Sequence, residues 1–303
     1  MSIRYGLAVV ACALALPCAA TATPAADEAG APARLALRYA ALKESLRDNA
    51  LRRPLHMDST QGADSASGEI YALVDSPFAI AGAALASAPQ WCDIMMLHLN
   101  TKACALAPEG ARTTLHVMIG RKYDQPAADA YPVDFAFRVV AATVNYLQVR
   151  LTAAEGPIGT RDYLILLEAV PADGARTFIR LSYSYGYGFA GRMAMMAYLG
   201  TVGRDKVGFS VVGKEPGGQP RYVGGVRGIV ERNTMRYYLA IESYLGALAV
   251  APAARLEKGL GDWFTAIEGY PRQLHEMERG EYLDMKRNEA ARARVKAMLL
   301  TTP

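Results

Sequence analysis

Five strand-like segments follow one another between residues 113 and 187, with only short turns between them. They are Thr113–Tyr123, Tyr131–Val140, Thr143–Ala153, Arg161–Val170 and Arg176–Tyr187. The turns contain Pro, Gly and Asp, and none of them is long enough to hold a helix. Because parallel neighbours need a crossover of about a dozen residues or more, the pattern predicts an antiparallel meander.

The last of these strands ends in three glycines, Gly186, Gly188 and Gly191, which match the G-x-G-x-x-G pattern of dinucleotide sites. Asp205 follows about twenty residues later, as that fingerprint requires. The strand itself alternates between apolar and polar residues, and its polar face includes Arg180. A strand that leads into a nucleotide site is buried on both faces and has a nearly continuous apolar sequence. We therefore interpret the glycines as residues that allow a positive φ or a close approach of the backbone where the strand turns sharply into a helix. On this interpretation, Gly188→Ala should destabilise the fold.

The N-terminus has the pattern of a secretory signal peptide. Arg4 precedes an apolar run from Tyr5 to Leu16, and the small residues that follow allow cleavage after Ala22. The run is too short to span a bilayer as a helix. We expect residues 1–22 to be removed and the mature protein to be soluble, in the periplasm or secreted. A lipid anchor on Cys18 is disfavoured because Pro17 precedes it, where Gly or Ala is usual.

Export would leave two cysteines in the mature chain, Cys92 and Cys104. In an oxidising compartment such a pair is expected to form one disulfide, worth about 3 kcal/mol on the chain-entropy model. The alternative is two separately buried thiols. His98 lies midway between the cysteines, but this spacing matches no common zinc site and no fourth ligand is evident. We therefore expect no metal.

Composition and motifs disfavour several classes of function. The 303 residues are 52% hydrophobic, which is enough for a large core. The formal charge of +4 is spread along the chain without a basic patch, so nucleic-acid binding is not expected. No G-x-S-x-G motif is present, and none of the four histidines has a partnered Ser or Cys pattern, which disfavours a catalytic triad. We expect no cofactor.

The segments before the meander are helices and a hairpin. Residues 23–53 combine an Ala- and Pro-containing leader with an amphipathic helix through Leu35, Leu42 and Leu46. A polar turn within residues 59–68 predicts a hairpin. Two short helices, Phe78–Ala88 and Gln90–Leu99, follow.

The segments after the meander begin with a helix at Ala190–Thr201. Two further strands, Lys206–Val212 and Tyr222–Val226, are expected to extend the sheet. A long helix with an apolar face, Glu231–Leu248, follows. Residues 251–303 are predicted to form C-terminal helices, and the charged stretch through Lys286, Arg287 and Arg292 is expected to be a solvated face.

Together the order is a strand, two short helices, an antiparallel meander of five or six strands and a long helix. Over about Glu69–Leu248 this order resembles the START-like, helix-grip (SRPBCC) superfamily. The pattern Val74-Asp-Ser-Pro-Phe78, followed by Trp91, resembles the end of that superfamily's first strand, its helix start and a later Trp. The chain is also similar to uncharacterised exported proteobacterial proteins. The resemblance implies an α+β fold in residues 54–250, with a curved antiparallel sheet wrapped around the long helix.

The resemblance also implies a cavity between the sheet and the long helix, which accepts a lipid- or sterol-like apolar ligand. The residues expected to line it are Trp91, Leu181, Tyr183, Tyr185, Tyr238, Leu239 and Glu242. Arg138 is a candidate to bind an acidic head group. A core filled by side chains is the alternative.

Three functions follow from these observations. The first is an exported protein that binds or carries an apolar ligand. The second is a helix-grip enzyme of cyclase or hydrolase type, acting through ionisable groups in the cavity. The third is an interaction scaffold whose C-terminal helices contact an envelope protein or the membrane surface.

Overall fold

The structure is a computed structural model that describes residues 30–109, 112–201 and 203–301. The predicted signal peptide and its cleavage site lie outside these ranges. Among the described residues, no helix has an apolar stretch long enough to cross a membrane.

The strands are β1 (Leu55–Gln61), β2 (Ser65–Val74), β3 (Thr101–Glu109), β4 (Arg112–Ile119), β5 (Tyr131–Thr143), β6 (Tyr146–Glu155), β7 (Thr160–Ala172), β8 (Arg176–Tyr187), β9 (Val211–Lys214) and β10 (Pro220–Tyr222). The helices are α1 (Ala31–Arg47), α2 (Phe78–Leu85), α3 (Ala88–Leu97), α4 (Phe189–Gly200), α5 (Gly225–Ala247), α6 (Arg255–Glu268), α7 (Pro271–Leu274) and α8 (Arg279–Thr301). Short 3-10 turns lie at Ala127–Asp129, Pro157–Gly159 and Pro252–Ala254.

Strands β1 to β8 form one antiparallel sheet in the order β1-β2-β8-β7-β6-β5-β4-β3. The predicted meander is confirmed, because β3 to β8 pair consecutively and β8 then pairs with β2. The two short helices lie between β2 and β3, and α5 follows the sheet and packs on β2, β1 and β8. This is the expected α+β helix-grip fold.

The main core lies between the inner face of the sheet and α5. Alternation along β8 places Leu181 and Tyr183 on this face, and α5 brings Leu239 against it. Leu181 and Leu239 are fully buried. The core also includes Trp91 of α3, whose indole N–H donates to the Leu85 carbonyl at 2.8 Å. The sheet and α5 are therefore held together by a densely packed apolar layer.

The outer face of the sheet is covered in part by α1. Leu35, Leu42 and Leu46 of this helix are buried in a second apolar cluster with Tyr71 of β2 and Phe178 of β8. The three- and four-residue spacing of the leucines places them on one side of the helix. The predicted amphipathic helix is thus present and forms a third layer on the sheet.

Cys92 of α3 and Cys104 of β3 lie at disulfide distance, with Cα atoms 5.3 Å apart. The bond joins the second short helix to the edge strand of the sheet.

Strand β3 was not among the predicted strands. Its Ala-rich sequence, Lys102-Ala-Cys-Ala-Leu-Ala107, has little of the β-branched and aromatic content that marks a strand.

The prediction that Lys206–Val212 and Tyr222–Val226 extend the sheet is wrong. The chain instead forms a separate two-stranded hairpin, β9 and β10, and α5 begins at Gly225. The carboxylate of Glu231 on α5 is fully buried and accepts the backbone N–H groups of Phe209 at 2.5 Å and Ser210 at 2.9 Å. These bonds hold the segment on the helix, away from the edges of the large sheet.

The expected solvated face of the C-terminal helix is also partly wrong. Lys286 is 1% exposed, and its ammonium donates to the Thr101 carbonyl at 2.7 Å and to Glu289 at 2.5 Å. The second oxygen of Glu289 accepts from buried Lys102 at 2.9 Å. The charged helix therefore buries one side against β3, whereas Arg287 and Arg292 stay exposed as expected.

The glycines after β8 do not lie in a nucleotide-binding context. Strand β8 has antiparallel neighbours on both sides, whereas a dinucleotide fingerprint joins a parallel strand to its crossover helix. Gly191 packs closely, since a Cβ there would lie 3.1 Å from the Gly159 carbonyl oxygen. Among the described residues, no atom lies within 4 Å of the position that a Cβ on Gly188 would take, and the φ of Gly188 is not positive. The interpretation based on close approach therefore holds for Gly191 and fails for Gly188.

Candidate functional site

A cavity of about 140 Å³ lies between the inner face of the sheet and α5, and we call it the central cavity. Four aromatic rings line it: Phe135 of β5, Tyr163 of β7, Tyr183 of β8 and Tyr237 of α5. The remaining wall consists of Ile119, Val133 and Pro157 with the polar residues His98, Asn100 and Asn233. This is the position that the helix-grip resemblance implied for a ligand cavity.

The aromatic rings contact one another around the cavity. Tyr183 lies 5.2 Å from Tyr237 and 6.2 Å from Tyr163, measured between ring centroids, and Phe135 meets Tyr163 edge-on at 6.2 Å. Such geometries are favourable for aromatic pairs. Burial raises the pKa of Tyr163, Tyr183 and Tyr237 above the ordinary value of a phenol. The three tyrosines are therefore neutral groups at physiological pH.

His98 supplies the most unusual polar group of the central cavity. It follows the last residue of α3 and is 6% exposed, with its ring stacked on Tyr237 at a centroid distance of 5.2 Å. Its Nδ1 accepts the backbone N–H of Asn100 at 3.2 Å. Its Nε2 is buried and has no hydrogen-bond partner among the described residues.

The protonation state of His98 follows from these contacts. Burial, followed by the positive charges of Arg236 and Lys286, holds the pKa of the imidazole well below its usual range. The ring is therefore neutral. Because Nδ1 accepts a hydrogen bond, the single ring proton lies on Nε2. His98 thus presents a buried N–H donor for which the described part of the chain offers no acceptor.

A charge cluster lies next to this site. The carboxylate of Glu276 pairs with Arg236 at 2.6 Å, with Lys122 at 2.7 Å and with Lys206 at 3.7 Å. Burial by itself would raise the pKa of Glu276, but Arg236 and the two lysines together hold it below the ordinary value. Arg236 also donates to Asn233, a cavity residue, at 3.5 Å. The cluster therefore joins the wall of the central cavity through α5.

Of the residues expected to bind a ligand, Tyr183 lines the central cavity. Tyr185 lies on the same face of β8 and stacks on Tyr163 at 5.7 Å, just outside the lining. Trp91, Leu181 and Leu239 are buried in the main core. Like Tyr185, they are not among the residues that line the cavity.

Tyr238 and Glu242 lie on a different side of α5. The Tyr238 hydroxyl donates to Glu242 at 3.0 Å, and Glu242 pairs with Arg53. Glu242 and Arg53 border a separate polar cleft of about 340 Å³. Successive residues of α5 are rotated by about 100° around the helix axis. The side of α5 that carries Tyr238 and Glu242 therefore differs from the side that carries Tyr237 and Asn233.

Arg138 is exposed and lies opposite Arg150 in the pairing of β5 with β6. It is not among the residues that line any of the cavities described here. The structure therefore does not bring Arg138 together with Tyr183.

Sequence analysis missed the other nine lining residues, among them His98, Tyr163, Asn233 and Tyr237. Tyr163 was identifiable in principle, because it alternates with Ile165 and Leu167 on the buried face of β7. His98 was considered only as a metal ligand. Among the described residues, no group of three or more His, Cys, Asp or Glu side chains is placed to hold a metal ion.

A larger cleft of about 420 Å³ lies away from the central cavity, between α3, α6 and α8. The Cys92–Cys104 pair and apolar side chains such as Met96, Leu256 and Leu260 line it. It is thus formed mainly by the C-terminal helices.

Several solved structures are similar to this chain at a low level. A conserved protein from Geobacillus kaustophilus is 12% identical with a TM-score of 0.35, and the match covers 59% of this chain and 95% of that one. Norcoclaurine synthase from Thalictrum flavum is 15% identical with a TM-score of 0.33, over 47% of this chain and 90% of that one. Human StAR-related lipid transfer protein 5 is 10% identical with a TM-score of 0.29, over 58% and 89%.

No protein-family model and no curated protein matches the sequence. The element order and strand pairing of this chain are those of a helix-grip fold.

Proposed function

We propose that this protein is exported and binds a small aromatic ligand in the central cavity. One observation carries the proposal: a cavity walled by four aromatic rings has in its lining a histidine whose Nε2–H finds no acceptor among the described residues. Aromatic walls favour a flat apolar ring, and a few polar groups then fix its orientation.

The size of the cavity argues for a small ligand rather than a lipid or sterol. Pockets for drug-sized ligands measure about 300–1,000 Å³, whereas an apolar cavity of about 150 Å³ accommodates benzene. The central cavity, at about 140 Å³, belongs to the second class. A lipid- or sterol-like ligand would be larger than this space.

Export is the other half of the proposal. The N-terminal sequence has the charge, apolar run and small residues of a signal peptide. The Cys92–Cys104 pair supports an oxidising compartment, where disulfides persist. Expression of the full chain with detection of a shortened, periplasmic form tests this half independently.

Ligand binding is tested on the mature protein purified from its own periplasm. Native mass spectrometry before and after organic extraction should show a bound molecule of low mass. The melting temperature of the extracted protein should rise with toluene or phenol, because saturation to about 100 times Kd stabilises by about 2.7 kcal/mol. Empty protein whose melting temperature no single-ring compound changes would contradict the proposal.

A matched pair of variants locates the binding. Val133 lines the central cavity and Val139, on the same strand, is exposed. We expect Val133→Phe to fill the cavity and remove the ligand-induced shift, while Val139→Phe keeps it. Each shift is measured relative to the same variant without ligand, because overpacking alone costs about 1–3 kcal/mol.

The chemistry of His98 favours binding over catalysis. A cyclase or hydrolase would use an ionisable cavity group to move a proton, with a pKa near the working pH. His98 has a pKa well below that range, and its Nδ1 is occupied by the Asn100 N–H. The neutral imidazole is therefore a fixed hydrogen-bond donor.

A further inference from the structure

The inference concerns the chemical class of the ligand and rests on the proposed function. A buried N–H without an acceptor is unfavourable, because the group loses its bond to water and gains nothing in return. His98 has one edge of its ring held by the Asn100 N–H and the other edge, at Nε2, without a partner in the described residues. A ligand that stabilises this site therefore carries an acceptor oxygen near His98.

The charges around His98 specify the acceptor further. The side chains that act most strongly on its imidazole are all cationic: Arg236, Lys286, Lys122 and Lys102. Arg236 and Lys122 share the carboxylate of Glu276 with a further cation, Lys206, and Lys286 and Lys102 share that of Glu289, so that five cations surround two carboxylates. A positive potential at a buried donor favours an anionic acceptor over a neutral one.

We propose that the central cavity binds an aromatic carboxylate, whose ring lies among Tyr163, Tyr183 and Tyr237 and whose carboxylate accepts the Nε2–H of His98. The cavity has room for a single ring, and its polar lining includes Asn233, whose side-chain oxygen accepts a hydrogen bond from Arg236. Benzoate is the smallest probe of this class.

The test compares three planar probes of nearly equal shape: benzoate, neutral benzamide and cationic benzamidine. Binding to the mature protein is measured by calorimetry or ligand-observed NMR. We expect benzoate to bind about tenfold or more tighter than benzamide, and benzamidine to show no binding. Equal affinity for benzamide and benzoate, or tighter binding of benzamidine, overturns the proposal.

Variants of His98 test the hydrogen bond. His98→Leu should weaken benzoate about tenfold and change toluene affinity less than about twofold, while His98→Gln, which retains a donor, keeps most of the benzoate affinity. His116→Leu, at an exposed position on β4, is the matched control. Benzoate affinity that is unchanged in folded His98→Leu overturns the proposal. Circular dichroism checks the fold of each variant.

A charge variant supplies a second measurement if His98→Leu does not fold. Lys122→Met should lower benzoate affinity about threefold, more at low salt than at high salt, whereas Lys214→Met on the exposed hairpin should not. Benzoate affinity that is unchanged in Lys122→Met overturns the assignment of a carboxylate. If toluene still binds in that case, the proposed binding of a small aromatic ligand stands. If no probe binds, toluene included, both the proposed function and the proposed ligand class are wrong.

Discussion

At the scale of single residues, Gly188 and Gly191 lie three positions apart at the start of α4. They differ in how much space a side chain would have. A Cβ on Gly191 would approach the carbonyl oxygens of Gly159 at 3.1 Å and Ile158 at 3.2 Å. These atoms belong to the turn before β7, whose Pro157 lines the central cavity. Gly191 therefore lets α4 pack against a wall of the site, while Gly188 faces open space.

This difference predicts opposite outcomes for two substitutions. Gly191→Ala should destabilise the fold by about 1–3 kcal/mol, because rigid backbone atoms must move. Gly188→Ala should change stability by less than about 1 kcal/mol, since φ is not positive and no atom is displaced. Urea unfolding of the two variants measures both, and equal destabilisation would contradict the close-approach argument.

At the scale of elements, the outer helix α1 illustrates how an amphipathic pattern becomes a layer. Its buried leucines cover Tyr71 and Phe178. Beside them, Arg180 of β8 pairs with Glu168 at 2.6 Å, and Tyr146 donates to the same carboxylate at 2.6 Å. The polar face of β8, which excluded a nucleotide-binding strand, thus forms an ion-paired network on the outer side of the sheet, although the buried Nε of Arg180 has no hydrogen-bond partner among the described residues.

Two leucines of α1 test the contribution of this layer. Leu42 is 6% exposed and Leu37 is 70% exposed. Leu42→Ala should destabilise by about 2–4 kcal/mol through lost burial and a new cavity, whereas Leu37→Ala should be nearly neutral. Chemical denaturation measures the free energy of unfolding of both variants. A loss below about 0.5 kcal/mol for Leu42→Ala would show that α1 is dispensable to the sheet.

At the scale of the whole molecule, the C-terminal helix α8 is attached to the edge of the sheet through buried charge. Lys286 and Lys102 share Glu289 in a site closed to solvent. Burial lowers the pKa of Lys286 to about 8, against the opposing charge of Glu289. The attachment of this helix therefore depends on pH.

The direction of that dependence follows from the two states of the chain. An unfolded lysine keeps its proton up to about pH 10.4, whereas folded Lys286 releases it from about pH 8. The contribution of Lys286 to the free energy of unfolding should therefore increase between about pH 8 and 10.4. Lys286→Met should lack this increase, and unfolding free energies of both proteins across that pH range measure it. Parallel curves would contradict the buried-ammonium assignment.

The same charged site shows where local sequence patterns lose their predictive value. A stretch rich in Lys, Arg and Glu is usually solvated, because an unpaired buried charge is costly. Here Glu289 and two backbone carbonyls, those of His98 and Thr101, accept hydrogen bonds from Lys286 and compensate its burial. Glu289 lies one turn further along α8, but the two carbonyls come from a distant part of the chain, so spacing within α8 could not reveal that this pair is buried.

The sequence alone predicted five of the six strands of the antiparallel meander and the helices around it, because strand alternation, turn residues and helical spacing are local properties. Only the tertiary structure decided which side chains meet in the central cavity. Tyr183 was foreseen from its strand face, but His98, Tyr163 and Tyr237 converge from α3, β7 and α5. The rotation of α5 about its own axis selects Tyr237 over Tyr238, and that rotation is set by packing across the whole core.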